Sequence, residues 1–165
     1  MIPDPLHPAV VHFPIVLLIA GFVLAAMVLI RSSYSMAIAS AIILTLATIG
    51  SQVALMTGEK EEDAGERASR AVLEKHEEAA ELTRWLALGA ALAAVGTVIV
   101  QKKRPAMVRP AAAATTLISL AAVGAVVWTA HQVGLLVYQH GAGVRSDSKL
   151  DLPRGKAIRH HDDDD

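Results

Sequence analysis

Long blocks of uncharged, apolar residues alternate along this chain with short stretches that hold nearly all of its charge. A helix that crosses the hydrocarbon layer of a bilayer needs about 20 largely uncharged residues. Blocks at about 8–30, 36–57, 82–101 and 111–139 meet that need and predict four spans. Pro8 suits a first helical turn, where a missing N–H costs nothing, and Pro14 is expected to kink the helix near His12 and free a carbonyl there. The second block is rich in small residues (Ala37, Ala39, Ser40, Ala41, Ala47, Gly50, Ser51, Ala54), which let helices approach closely in lipid. Ahead of the third, from Glu66 on, Val72, Leu73, His76 and Ala80 form an amphipathic stripe that leads into Trp85. The fourth carries Trp128, His131, Gly134, Tyr138 and His140, and Gly141-Ala142-Gly143 is its stop. The expected fold is all-α: a four-helix transmembrane bundle, up-down-up-down, with an amphipathic helical extension before the third span. Residues 1–144 form this membrane domain, with an outer acidic segment at 58–81, and 145–165 read as a polar disordered tail. The His160-His161 pair and four terminal Asp residues belong to that tail and read as solvated rather than metal-binding.

Charge sets the expected orientation. Arg31 lies between spans one and two, and Lys102, Lys103, Arg104 and Arg109 between three and four, with no acid in either connection. These are cytoplasmic by the positive-inside rule. The segment from Glu59 to Glu81 holds nine acidic and four basic residues, which places it, with both termini, on the outer face. The chain is expected in the cell membrane, the inner membrane of a bacterium. Its first apolar block follows Met-Ile-Pro-Asp without a basic flank, which reads as a span rather than a removed leader.

Composition then removes several classes of function. A net charge of -1 with no basic face gives nothing for nucleic acid to bind. The absence of cysteine removes disulfides, thiolate nucleophiles, Cys-ligated clusters and covalent c-type haem. No Ser-His-Asp order, HExxH motif, phosphate loop or paired membrane carboxylates point to an enzyme with its own chemistry.

The histidines carry what remains. Counting a rise of about 1.5 Å per residue from the basic boundary puts His12 at roughly 28 Å and His131 at roughly 31 Å, one common level. The same count puts His7 near 36 Å, His76 near 39 Å and His140 near 45 Å, a second tier just outside the hydrocarbon. Polar side chains at membrane depth are costly, so His12 and His131 are expected to face the bundle interior and share a partner. Facing imidazoles on two bundle helices are how b-type haem is held, and the small neighbours Ala130 and Gly134 leave room for a porphyrin. The plain alternative is that the two rings bond one another, Gln52, Gln132 or the carbonyl freed by Pro14. His7, His76 and His140 with Glu59 or Glu77 would make an N/O set suited to Zn, Cu or Fe, while His76 alone is equally a tucked ring satisfied by a carbonyl. The inner half of every span lacks histidine, so one copy cannot form a complete transmembrane electron wire of the two-haem kind.

Three motifs also carry a family resemblance. They are His7-Pro8-Ala9-Val10-Val11-His12-Phe13-Pro14-Ile15, Thr57-Gly58-Glu59 after span two, and Gly134-Leu135-Leu136-Val137-Tyr138-Gln139-His140-Gly141-Ala142-Gly143-Val144. Over about residues 5–145 the chain resembles a family of small bacterial membrane proteins, domain of unknown function 2231. The resemblance implies four spans and, in some members, fusion to or association with redox domains; it implies no particular activity.

Three functions follow as expectations. The first is a haem- or metal-binding redox protein that passes electrons at the outer face to a partner protein, with His12 and His131 as prime ligands and His76 and His140 as secondary ones. The second is a divalent-metal binding or transport protein using the outer tier, with the acidic segment as a cation funnel. The third is a ligand-free assembly subunit, a homo-oligomer or part of a larger membrane complex, packing through its Ala-rich faces.

Overall fold

A computed structural model describes residues 10–58 and 70–140. Among them are four long helices: α1 (His12–Arg31), α2 (Tyr34–Gly58), α3 (Arg70–Lys103) and α4 (Val108–His140), with a single 3-10 turn, Pro105–Met107, ahead of α4. All four are long and apolar enough to cross a membrane, and the chain lies in a lipid bilayer. The helices form an all-α, up-down-up-down bundle. α1 packs on α2 and α4, and α3 on α2 and α4, so that the four close a ring.

Short connections force this topology. α1 stops at Ser32, whose left-handed backbone (φ 49°) turns its N–H onto the Val28 carbonyl at 2.7 Å. Ser33 then offers its carbonyl to Ala37 N–H, and α2 starts back at once. At the end of α3, Arg104 is extended (φ -146°), as a residue before proline must be, and Pro105 opens the 3-10 turn. Both turns lie at one end of the bundle and are clasped together. The Gln101 amide donates to the Ser32 carbonyl, and the Lys102 ammonium sits 5.3 Å from the Tyr34 ring centre. Arg31, Lys103, Arg104 and Arg109 are exposed at this basic end. α3, at 34 residues, is about 50 Å long and outruns the hydrocarbon, so its first turns are the polar extension expected from the sequence.

Residue size, rather than polarity, decides which face of each helix turns inward. The interior is built from Leu18 and Leu44 among Ala41, Ala47, Ala87, Ala90, Ala91, Ala94 and Ala122, with a second cluster of Val28, Ala37 and Ala112 nearer the basic end. The exterior carries Val16, Ile19, Val23, Ile30, Ile42, Ile49, Leu92 and Leu117. Alanine inside and β-branched or leucine side chains outside is the reverse of a soluble bundle. It follows because lipid solvates a large apolar side chain as well as a protein core does, while small residues let backbones approach. The tightest approach is at Gly21, where a Cβ would lie 2.5 Å from Leu44 Cδ2. The Ser40 hydroxyl crosses the same seam to the Gly21 carbonyl at 3.2 Å. The buried hydroxyls are paired: Thr97 and Thr115 meet at 2.9 Å, and Ser51 and Ser119 bond the carbonyls one turn back.

Candidate functional site

The end opposite the basic turns holds the chemistry, and the structure brings α1, α3 and α4 histidines there in different attitudes. His12 opens α1 and His131 lies in the last third of α4, and both are exposed. Helix geometry explains this. His12 precedes the contact residue Gly21 by nine positions, and His131 follows the fully buried Ala122 by nine. Nine positions are about two and a half turns, which puts each ring on the face opposite its helix's closest contact. His12 thus caps the outward stripe Val16, Ile19, Val23, and His131 caps Leu117, Leu120, Val127. The expectation that these rings face the bundle interior is corrected: at the edge of the hydrocarbon an imidazole reaches the polar headgroup layer, and it need not turn inward to find partners. His131 lies beside Trp128, ring centres 6.1 Å apart and tilted by 39°, in the aromatic belt that Trp85 also joins.

His76 does turn inward. It precedes Thr83 by seven positions, about two turns, and shares that residue's buried face. Its Nδ1 lies 3.4 Å from the Thr129 carbonyl across the α3–α4 seam. Two turns further along α3, the Thr83 hydroxyl meets the hydroxyl of the same Thr129 at 3.2 Å. Of the two readings of His76 from sequence, the carbonyl partner of the tucked ring is present, with Nδ1–H as donor. His7 and Glu59 lie outside the described residues, and His140 closes α4 with its side chain outside them. Among the described residues no three His, Asp or Glu side chains gather as a metal-binding group.

The interior at this level is filled. Pro14, in the first turn of α1, packs against Gly50, whose added Cβ would lie 3.2 Å from Pro14 Cβ; Ser51, Ala54, Ala79 and Gln132 are buried around them. A cavity of about 10 Å³ lies toward the basic end, between Ala25, Ser40, Thr97 and Thr115, and holds a water molecule at most. Among the described residues, the buried side chains at this level leave no porphyrin-sized space between the helices. Outside it, His131 has open ground: Ala130 is exposed, and a Cβ on Gly134 would meet nothing within 4 Å.

One polar cluster escaped the sequence reading. Arg84 of α3 donates from Nη2 to Glu81 Oε1 at 3.2 Å and from Nη1 to Gln52 Oε1 of α2 at 3.3 Å, and its guanidinium lies 4.7 Å from the Trp85 ring centre. Gln52 is therefore a partner of arginine rather than of His12 or His131. The signal was available: Arg84 lies 18 positions above Lys102, and Gln52 18 above Tyr34, both about 27 Å up. The depth count singled out histidines and passed over this level pair.

No curated protein and no solved structure matches the chain. The model of a family described as a predicted membrane protein, domain of unknown function 2231, matches residues 3–146, which takes in all four helices and every rim histidine. The chain belongs to that family of predicted membrane proteins.

Proposed function

We propose that this chain is a subunit of a larger membrane assembly, docked through the outward faces of α1 and α4 at the histidine end. The observation that carries this is the exposure of His12 and His131 at the head of otherwise apolar stripes, above a core that is closed. Most small residues of α1, α2 and α3 are used inside the bundle, while α4 keeps Ala114, Ala121, Gly124 and Ala130 exposed, so the exterior offers lipid-sized side chains, these small residues and the two imidazoles. An imidazole at the hydrocarbon edge supplies one donor and one acceptor, which makes a contact there directional where aliphatic contacts are not. Charge supports an orientation with the basic end in the cytoplasm and the histidine rim outside.

A second reading is supported by the open ground around His131, Ala130 and Gly134. In it, His12 and His131 ligate haem b, or a Zn, Cu or Fe ion, on the outside of the bundle, and a neighbouring chain completes the site. Such a group would supply electron transfer at the outer face; this chain would supply neutral imidazole nitrogens and a Trp128 wall. The divalent-metal transport reading has less support, because the interior toward the basic end is lined by Ala, Ser and Thr with no carboxylate or imidazole.

The test uses the absence of native cysteine. Single-cysteine variants at Val16 and Val127, beside the two rings, are cross-linked in native membranes and compared with Ile42 and Leu92 on the α2 and α3 exterior. Cross-linked adducts at the first pair alone, lost on His131→Leu with helix content unchanged, are expected. Equal yields at all four sites refute docking through this face. An absorption spectrum and metal analysis of the same material decide the second reading: a Soret band or stoichiometric metal that disappears in His131→Ala establishes it.

A further inference from the structure

On the far side of the bundle from the α1–α4 seam, α2 and α3 border a groove of about 330 Å³ lined by Thr48, Ile49, Gln52, Arg84, Trp85 and Leu88. We propose that this groove is a binding site for a zwitterionic phospholipid with a primary ammonium headgroup, of the phosphatidylethanolamine class. It is independent of the docking face and of any haem or metal.

Three observations converge on that ligand. The first is the order of charges along one face of α3. Glu77, Glu81, Arg84 and Leu88 follow one another at spacings of four, three and four, which is a single helical stripe. From the bilayer surface inward it reads carboxylate, carboxylate, guanidinium, leucine, and Val95 continues it into the hydrocarbon. An ethanolamine phospholipid reads ammonium, phosphate, acyl chain in the same direction. Each of its charges meets the opposite sign, with Glu81 about 4.5 Å further out than Arg84, the reach of a two-carbon linker.

The second observation is the state of Arg84. Its Nη atoms donate to Glu81 and Gln52 with a second N–H left over on each, and its Nε is buried with no hydrogen-bond partner. The guanidinium thus has donors to spare where Arg84 lines the groove, and a phosphate oxygen there accepts from them with charge assistance. Gln52 accepts from Arg84 through Oε1, which leaves its amide N–H groups as further donors. The Arg84–Glu81 pair is already neutral, so a purely anionic lipid would have to compete with the carboxylate for the guanidinium. A zwitterion brings its own cation for that carboxylate, and nothing need be displaced. Because a choline headgroup has no N–H to give Glu81, the same contact separates ethanolamine from choline.

The third is the wall. Trp85 is 57% exposed on the groove side of α3 at interfacial depth, where its ring covers the glycerol level, and Ile49 and Leu88 form an apolar floor for the start of an acyl chain.

Trp85 also provides the probe. The chain has two tryptophans, so a Trp128→Phe background leaves Trp85 as the single reporter. The full chain is reconstituted in phosphatidylcholine nanodiscs containing a small fraction of phosphatidylethanolamine brominated near the top of its acyl chains. Trp85 quenching well above that from the same fraction of brominated phosphatidylcholine or phosphatidylglycerol is expected, with displacement by unlabelled phosphatidylethanolamine. Arg84→Gln should weaken the preferential component roughly tenfold or more, as for loss of a charge-assisted hydrogen bond. Glu81→Gln should remove the preference for ethanolamine over choline while quenching itself persists, and this second variant keeps the question open to refutation if Arg84→Gln fails to fold. Equal quenching by all three lipids, stronger quenching by phosphatidylglycerol, or displacement by a short-chain quinone in place of phosphatidylethanolamine would each overturn the proposal.

Discussion

Adding one methyl group at Gly21 is the sharpest test of how this bundle is held together. A Cβ there would stand 2.5 Å from Leu44 Cδ2 and 2.6 Å from Leu44 Cγ, against ordinary carbon contacts of about 3.5–4.0 Å. The clash reaches Cγ and not only a terminal methyl, so Leu44 must move as a whole. Leu44 is fully buried among Leu18, Ala41, Ala47 and the α3 alanines, and has no space to move into. Overpacking of this kind costs about 1–3 kcal/mol. Any shift that separates α1 from α2 also lengthens the Ser40–Gly21 hydrogen bond, a class of contact contributing about 0.6 kcal/mol in membrane bundles. Alanine recovers up to about 1 kcal/mol of helix propensity over glycine. The net expectation for Gly21→Ala is a loss of about 1–2 kcal/mol, read as a lower midpoint in SDS unfolding from mild detergent followed by far-UV circular dichroism.

The double-mutant cycle makes the argument specific. Leu44→Ala alone leaves a void and should cost about 2–5 kcal/mol. Combined with Gly21→Ala, the new methyl occupies part of that void, so the double variant should be at least about 1 kcal/mol more stable than the sum of the singles. If Gly21→Ala were as stable as the parent, or the two changes strictly additive, α1 and α2 would not meet through glycine and leucine, and close approach would not organise this core.

Gly96→Ala makes the opposite case, since an added Cβ there meets nothing within 4 Å; it should stabilise the bundle by about 0.5–1 kcal/mol, read as a higher unfolding midpoint in the same assay. Thr97→Val and Thr115→Val each remove one side of a buried hydroxyl pair 2.9 Å apart; each should cost about 0.5–1.5 kcal/mol, and a double variant less than the sum, by the same unfolding measurement. His76→Ala removes a side-chain bond to the Thr129 carbonyl, and hydrogen exchange read by mass spectrometry should quicken roughly tenfold in the first turns of α3 while α1 and α2 are unchanged.

How much of this was legible in the chain depends on whether the feature is one of length, charge or rotation. The four helices follow from block length, and the common end of Arg31, Lys102, Lys103 and Arg104 from charge. Depth was legible too, because rise per residue is fixed, and residue counts alone put Arg84 and Gln52 at one level. Rotation was not legible from hydropathy. In α1 the inward Leu18 and Val28 and the outward Ile19 and Ile30 are equally apolar, so no polar face marks the outside. The rule that polar residues at membrane depth turn inward then filled the gap and sent His12 and His131 the wrong way. A size rule would have served better. Gly21 and Ala25 on α1, and Ala112 and Ala122 on α4, are the small buried positions, and His12 stands half a turn away from Gly21 as His131 does from Ala122. His76 obeys the polarity rule because α3 alone has a truly amphipathic stretch, where the acids of its first turns mark the outside. In this bundle small residues encode the inside, and charge encodes it only where the helix leaves the hydrocarbon. A histidine on an apolar stripe opposite a glycine is therefore a statement about the surface, and the chemistry of this chain is to be sought where it meets its neighbours and its lipids.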